Sequence, residues 1–346
     1  MPKPSFALDK YSAVTPEIAD KVLYGGTDAA EPVKMIVSRG QLMLALELAH
    51  REFKGDTEPG KIVAKLAQNL HELRKSAGLA IWKELIPIAQ NHAVRSYLLQ
   101  DPFTKWSFEK PRGYSGDATL LDIYYQHDSA KTIIDEATEL GRDIYHYTSN
   151  ADSSVAGRER CDILTSYVDA AASENSDAEI LSIACGHLRE AEKSKTLHSG
   201  NMQRWVALDQ DPESLATVQA SNPDNAVQAI EGSVRGILGR KYKLGEFDLV
   251  YASGLYDYLT LPVGVKLMQR CWEMVKPGGK LLFANFSDEI KTDGYMETFM
   301  DWPLILRNAK DMEEIVNGSV DRNAIDLKVF YGANRNIVYA EVTKLA

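Results

Sequence analysis

Short apolar runs alternate with helical stretches from about residue 178 to residue 286. This alternation predicts five strands, at 178–184, 204–209, 225–230, 247–253 and 279–286. The helices predicted between them lie at 188–198, 212–220, 233–240 and 262–275. Strands that alternate with helices form right-handed βαβ units, so we expect a parallel sheet.

Two further strands are predicted at 327–333 and 337–345. Only the tripeptide "NRN" separates them. A parallel crossover needs a dozen residues or more, so these two strands must pair as an antiparallel hairpin. The C-terminal part of the chain is therefore predicted to be an α/β domain with a seven-stranded, mostly parallel sheet that closes in a hairpin.

The first 150 residues are predicted to be helical. The segment 15–23 has Thr15 as a helix cap and Pro16 at the first helical position, and helical periodicity continues in 31–53 and 60–100. We therefore expect a helical N-terminal region at 1–150 and the sheet domain at 151–346.

The charge of the chain argues against a nucleic-acid partner. Acidic residues outnumber basic ones, 49 to 39, and the formal net charge is −10 with no long run of one sign. Nucleic-acid surfaces need clustered lysine and arginine. The apolar stretches are too short to span a membrane, and the N-terminus lacks the apolar region of a signal peptide. We expect a cytoplasmic protein.

Three cysteines, Cys161, Cys185 and Cys271, are too few and too widely spaced for a disulfide framework or a zinc site. We expect all three to be reduced. Cys185 is predicted to be a small residue that fits a turn, because no neighbouring base is placed to activate it as a nucleophile.

The first two predicted strands end in residues suited to a nucleotide ligand. The first leads into "ACGHLRE", a small-residue turn before a helix, where α/β proteins bring backbone N–H groups to a ligand. The second ends at Asp209, 23 residues after Gly186. A carboxylate there can accept hydrogen bonds from both hydroxyls of a ribose. Asp211, which precedes Pro212, is predicted mainly to cap a helix.

The next two strand ends provide small and aromatic residues. The third strand leads into Gly232 and Ser233. The fourth ends at Ser253 and Gly254, and an aromatic and acidic cluster that includes Tyr258 follows. This composition is typical of a pocket at the carboxyl edge of a sheet.

The strand arrangement and these strand ends resemble the class I S-adenosylmethionine-dependent methyltransferases. The resemblance implies a Rossmann-like fold and S-adenosyl-L-methionine as cofactor, with no metal. The first loop of that family usually has the pattern acidic-x-Gly-x-Gly-x-Gly, whereas this chain has Ser182, Ala184, Gly186 and Leu188 at those positions. The implied cofactor-binding residues are Ala184, Cys185, Gly186, Arg189, Asp209, Gln210, Gly232, Ser233, Ser253 and Gly254.

Two other segments resemble a narrower group. One is 109–125, which contains "RGYSGD", and the other is 300–316. Both are similar to the bacterial methyltransferase family that includes the synthase of the 3-hydroxypalmitic acid methyl ester signal. The resemblance implies a small-molecule methyl acceptor, with methylation of a carboxyl or hydroxyl oxygen of an acid. Arg112 and Arg307 are the candidate carboxylate clamps, and Tyr114 and Tyr258 would wall the pocket.

Other interpretations remain open. Arg112 could simply pair with Asp117. Asp257 and Asp301 would suit an amine acceptor, which gives N-methylation of a small amine as an alternative. Ser182 and the incomplete glycine loop would also suit a protein that binds the cofactor without turnover. The helical N-terminal region is predicted to cover the substrate near 112–117 and to form a homodimer through its earlier helices.

Overall fold

The computed structural model describes residues 32–223 and 226–345, which form two compact units. The first unit contains residues 32–155 together with Ile290–Leu304, and the second contains the other described residues. Ile290–Leu304 follows the fifth predicted strand, yet it groups with the helices. The helix predicted at 15–23 lies outside the described residues.

Sixteen α-helices occur among the described residues. They are α1 (Pro32–Glu52), α2 (Pro59–Ala77), α3 (Leu79–Gln90), α4 (Arg95–Leu98), α5 (Pro102–Glu109), α6 (Ala118–Tyr125), α7 (Lys131–Asp135), α8 (Glu139–Thr148), α9 (Asp152–Glu174), α10 (Arg189–Lys193), α11 (Lys195–His198), α12 (Pro212–Ser221), α13 (Val234–Leu238), α14 (Leu261–Trp272), α15 (Asp293–Phe299) and α16 (Ala309–Asn317).

In the first unit, α15 packs closely against α2. Every residue of α15 is buried. A Cβ atom on Gly294 would lie 2.6 Å from the backbone carbon of Leu70, so only glycine allows this approach. The Glu297 carboxylate accepts hydrogen bonds from Arg74 and, at 2.5 Å, from the indole N–H of Trp82. These buried polar contacts fix Ile290–Leu304 to the helical unit.

The second unit is built on one seven-stranded sheet. Its strands are β1 (Glu179–Ile183), β2 (Arg204–Asp209), β3 (Val227–Glu231), β4 (Phe247–Ala252), β5 (Val275–Phe286), β6 (Ile325–Tyr331) and β7 (Ile337–Lys344). Their order in the sheet is β3-β2-β1-β4-β5-β7-β6. Strands β1 to β5 pair in parallel, and β7 pairs antiparallel with both β5 and β6. The predicted Rossmann-like α/β sheet with a C-terminal antiparallel hairpin is therefore confirmed.

The helices of the second unit begin where their capping residues predict. Asp211 caps α12, with Pro212 at the first helical position, and Thr260 caps α14. The stretch 188–198, predicted to be one helix, contains two short helices instead. They are separated by Ser194, whose backbone is extended and whose hydroxyl accepts the N–H of Leu197 at 3.2 Å. A side chain that bonds locally competes with helix continuation.

The core of the second unit places the strand ends in a common row. Leu181 on β1 is the register partner of Val206 on β2 and of Val250 on β4. All three lie in one buried apolar cluster. Parallel strands that are buried in this way are held in a fixed register. The carboxyl ends of β1, β2 and β4 therefore lie along one edge, where parallel α/β sheets bind ligands.

No helix among residues 32–223 and 226–345 is long and apolar enough to cross a membrane. Within the same residues, no group of three or more histidine, cysteine and acidic side chains is arranged to hold a metal ion.

Candidate functional site

The turn after β1 has an unusual backbone. Ala184, Gly186 and Leu188 all have positive φ angles, of 54°, 55° and 51°. Positive φ is uncommon for residues other than glycine and concentrates at functional sites. The backbone N–H of Cys185 donates to the carbonyl of Leu208 at 3.2 Å, which fastens the turn to β2. The sequence predicted this turn, but not the left-handed conformation of Ala184 and Leu188.

Asp209 lies beside this turn at the end of β2. Its two carboxylate oxygens accept hydrogen bonds from the backbone N–H groups of Gly186, at 2.8 Å, and Asp211, at 2.9 Å. The side chain is 7% exposed, and burial raises its pKa. A carboxylate has about four lone-pair sites, so both oxygens can accept further hydrogen bonds. The structure thus brings Asp209 and Gly186 together, as the spacing indicated. The predicted cofactor residue Gln210 is the next residue after Asp209.

The turn after β3 lies against β2. The N–H of Gly232 donates to the carbonyl of Asp209 at 2.8 Å, and a Cβ atom on Gly232 would lie 2.9 Å from the side chain of Leu208. The N–H of Ser233 donates to the hydroxyl of Tyr242 at 2.9 Å, while the Ser233 hydroxyl caps α13. The backbone N–H of Ser233 is therefore already engaged by the protein. Its predicted contact with the cofactor stays a prediction.

Arg160 is placed at the carboxyl end of β4, a position that the sequence did not reveal. Its guanidinium is part of a side chain only 2% exposed and donates to the carbonyl of Ser253 at 3.3 Å. A Cβ atom on Gly254 would lie 3.4 Å from Nη1 of Arg160 and 3.7 Å from Oδ2 of Asp257. The cation and the carboxyl group therefore flank the same glycine. Arg160 belongs to α9, which precedes β1, so no local motif connects it with β4.

The carboxyl group of Asp257 is buried at this edge of the sheet. Its Oδ1 accepts the backbone N–H of Phe286 at 2.6 Å, and its carbonyl accepts the N–H of Ile305 at 2.8 Å. Burial raises the pKa of Asp257 to about 7, although the positive charges of Arg160 and Arg307 act in the opposite direction. A buried carboxyl group whose pKa lies near neutral pH is suited to accept or release a proton.

This pKa predicts a pH-dependent contribution to stability. The pKa of Asp257 in the folded protein lies above its unfolded value of about 3.9, so the neutral form favours folding. The contribution is complete below pH 4 and is lost as the pH rises through 7. Relative to Asp257→Asn, which mimics the neutral form, the wild-type free energy of unfolding should fall by roughly 2 kcal/mol between about pH 5 and pH 8. Urea unfolding of both proteins at each pH measures this; a constant difference would contradict it.

The guanidinium group of Arg307 is hydrogen-bonded to other groups of the protein. Arg307 is 4% exposed, and its Nη1 donates to the carbonyl of Tyr256 at 2.5 Å and to Oδ1 of Asn285 at 2.6 Å. Its Nη2 donates to the carbonyl of Leu259. These bonds hold both ends of the short helical turn Tyr256–Tyr258, which contains the candidate pocket residue Tyr258. The clamp role remains a prediction, and the observed contacts are those of a structural anchor.

Arg112 and Tyr114 lie in the first unit, in the loop between α5 and α6. Asp117 caps α6 by accepting the N–H of Leu120 at 2.8 Å, and it also accepts the indole N–H of Trp106 at 2.9 Å. Arg112 interacts electrostatically with Asp117. The acidic residue of "RGYSGD" thus shapes the loop, and the roles predicted for Arg112 and Tyr114 in the acceptor site stay predictions.

The remaining predicted cofactor residues lie near the first turn. Arg189 is buried and donates to Glu192 at 2.5 Å, within α10. Cys161, Cys185 and Cys271 are free thiols. Burial raises the pKa of the Cys185 thiol well above its ordinary value, so it is poorly suited to act as a nucleophile. This agrees with the interpretation of Cys185 as a turn residue.

The sequence of the second unit matches a model of the methyltransferase domain over residues 180–279. No curated protein matches the chain. The fold resembles the crystal structure of a possible exported protein from Bordetella parapertussis, with 15% identity, a TM-score of 0.54 and coverage of 92% of this chain and 100% of the other.

Two weaker structural matches are methyltransferases. One is the N-methyltransferase NodS from Bradyrhizobium japonicum WM9 in complex with S-adenosyl-L-homocysteine, with 17% identity, a TM-score of 0.40 and coverage of 64% and 99%. The other is magnesium protoporphyrin IX methyltransferase from Synechocystis PCC 6803, with 10% identity, a TM-score of 0.44 and coverage of 63% and 100%.

The sheet order, the strand ends and the domain match together define a Rossmann-like methyltransferase. The chain is an enzyme that uses S-adenosylmethionine as its methyl donor.

The residues at the edge of the sheet fit this cofactor. The Asp209 carboxylate, with acceptor capacity left on both oxygens, would hold the ribose hydroxyls. The turn of Ala184 to Leu188 lets the backbone approach the ligand closely. When bound, the cofactor supplies an activated methyl group, so the protein has to align the acceptor and exclude water.

Proposed function

We propose that the enzyme transfers the methyl group to an oxygen of a small acid. The observation that supports this proposal is the buried guanidinium of Arg160, which lies beside Gly254 at the carboxyl end of β4. A carboxylate acceptor is already a nucleophile and needs a cation that orients it, and guanidinium groups bind carboxylates through two parallel hydrogen bonds. Arg160 therefore replaces Arg307 as our leading candidate for the clamp.

The same proposal accommodates a hydroxyl oxygen. A hydroxyl acceptor has to lose its proton during methyl transfer, and Asp257 presents Oδ2 to the same glycine as Arg160. Asp257 would accept that proton, and Arg160 would hold the acid group of the substrate. The similarity of residues 109–125 and 300–316 to the 3-hydroxypalmitic acid methyl ester synthase family supports a hydrophobic acid, with Tyr258 in the acceptor site.

N-methylation of a small amine is the alternative. Asp257 favours it, because a buried carboxylate can attract a cationic acceptor and Tyr258 is close in sequence to supply an aromatic face. Asp301 is less suited than the sequence indicated, because it forms an ion pair with Lys110 at 2.5 Å.

We propose in addition that the enzyme works in the cytoplasm as a homodimer and does not bind nucleic acid. The net charge of −10 supports the last point. Light scattering after size exclusion gives the oligomeric state, and a gel-shift assay at low salt tests binding to RNA and DNA.

The acceptor class is tested by supplying methyl-labelled S-adenosylmethionine with panels of carboxylic acids, hydroxy acids and amines, and by identifying the products by mass spectrometry. Methyl esters or ethers would support the proposal, whereas methylamines alone would support the alternative. With the best acid, Arg160→Gln should raise KM roughly 10- to 100-fold, since a charge-assisted hydrogen bond contributes about 1.5–3 kcal/mol. Arg160→Lys should recover part of the loss.

The matched control is Arg335→Gln. Arg335 pairs with Glu289 at the surface, so its loss should leave KM unchanged. An unchanged KM in Arg160→Gln would contradict the assigned role of Arg160, even if acids are the substrates.

A further inference from the structure

A buried carboxylate, that of Glu190, lies directly after the turn that follows β1. Glu190 is in the first turn of α10 and is 7% exposed. Its Oε1 accepts the hydroxyl of Tyr251 at 2.6 Å, and its carbonyl accepts the hydroxyl of Thr165 at 3.4 Å. Burying a carboxylate costs several kcal/mol unless partners compensate it.

The tether of Glu190 leads to the strand position where the family has its acid. Tyr251 lies on β4 directly opposite Ser182 on β1, and the two side chains are hydrogen-bonded. Ser182 occupies the acidic position of the usual loop pattern. Ser182, Tyr251 and Glu190 thus form a chain of polar groups that ends in a carboxylate. The negative charge missing from β1 is present at the start of α10.

We infer that the Glu190 carboxylate binds the ammonium group of the methionine part of S-adenosylmethionine. An ammonium group carries a positive charge and three hydrogen-bond donors. In Glu190, Oε1 accepts the Tyr251 hydroxyl, and Oε2 is the second acceptor oxygen of the carboxylate. In a site of low dielectric constant such a charge pair is much stronger than in water. Tyr251 is then a positioning residue, because it fixes the carboxylate. The inference rests on the methyl-transfer function proposed above.

The charges around Glu190 are compatible with this role. Burial raises the pKa of Glu190, while the hydrogen bond from Tyr251 and the positive charges of Arg160 and Lys193 act in the opposite direction. Lys193 is engaged at the surface by Asp162 at 2.6 Å. An incoming ammonium group would further stabilise the carboxylate, so cofactor binding and ionisation of Glu190 support each other.

The test compares ligands with and without the amino-acid part. Isothermal titration measures the affinity of the full chain and of Glu190→Gln for S-adenosylmethionine, S-adenosylhomocysteine and 5′-methylthioadenosine, which lacks the amino-acid part. Glutamine keeps the size of the side chain and an oxygen that can accept from Tyr251. The affinity for the first two ligands should fall roughly 10- to 100-fold. The affinity for methylthioadenosine should not change.

Two further variants sharpen the result. Tyr251→Phe keeps the charge but removes the tether, so it should give a smaller, equally selective loss. Asp162→Asn removes an exposed acid paired with α10 and should change no affinity. Equal losses for all three ligands in Glu190→Gln, or no loss for any, would overturn the inference. If the wild type bound none of the three ligands, the proposed function itself would fail, and this result is distinguishable from the other two.

Discussion

The Asp209→Ala variant is expected to bind S-adenosylmethionine far more weakly than the wild type does. The wild-type carboxylate is nearly buried at the end of β2, and its orientation is fixed by the N–H groups of Gly186 and Asp211. Two hydrogen bonds between a charged group and the ribose hydroxyls, at about 1.5–3 kcal/mol each, correspond to a roughly 10²- to 10⁴-fold rise in the dissociation constant. Isothermal titration with S-adenosylmethionine and with S-adenosylhomocysteine measures the change.

Alanine also removes the acceptor of the Gly186 N–H, so a second variant separates binding from folding. Asp209→Asn keeps the volume and one acceptor oxygen, and we expect an intermediate loss of affinity with a nearly unchanged melting temperature. The matched control is Asp211→Asn. Asp211 caps α12 by accepting the N–H of Glu213 at 3.0 Å, and asparagine caps helices about as well as aspartate. Equal losses in the Asp209 and Asp211 variants would contradict the ribose assignment.

The strand ends could be predicted because each depends on local sequence. An apolar run that ends in small residues or an acid specifies both a buried strand and the point where that strand ends, as β1 and β2 show. Strand β5 begins at Val275, before the predicted start at 279, because a register shift opposite Phe247 and Leu249 accommodates the extra residues. Such a shift depends on the neighbouring strand, which the local pattern does not contain.

Neither the candidate acceptor clamp nor the candidate cofactor carboxylate could be predicted in the same way. Arg160 reaches Ser253 across 93 residues of sequence, and Glu190 meets Tyr251 across 61. Neither pair has a fixed spacing or a motif, since both result from packing of α9 and α10 against the sheet. For the same reason, the sequence did not reveal that Glu297 pairs with Arg74 in the helical unit. Local patterns determine elements, whereas these contacts depend on how the elements assemble.

Arg307 shows the same limit from the opposite direction. An arginine between β5 and the hairpin has the right chemistry for a substrate clamp, and the sequence predicts that role. The structure surrounds its guanidinium with Asn285 and the carbonyls of Tyr256 and Leu259. Composition indicates which chemistry is available, but only the assembled loops decide whether the donors face a ligand or the protein.

Arg307→Met is therefore expected to destabilise the protein strongly. Methionine fills the space of the aliphatic stem but leaves Asn285 and two buried carbonyls without their donor, and it removes a positive charge near the Asp257 carboxyl group. Removal of one partner from a buried charged network costs about 3–5 kcal/mol, so the free energy of unfolding in urea should fall by that amount.

Two controls decide between anchor and clamp. Arg307→Lys retains the charge but not the planar fork of donors, so it should recover only part of the stability. Arg335→Met removes an exposed arginine that pairs with Glu289, and its effect should stay within about 0.5 kcal/mol. If Arg307→Met instead unfolded like the wild type and raised only KM for acid acceptors, Arg307 would be the clamp that the sequence predicts. The buried hydrogen bonds of Arg307 would then not be a structural anchor, because their loss would have cost no stability.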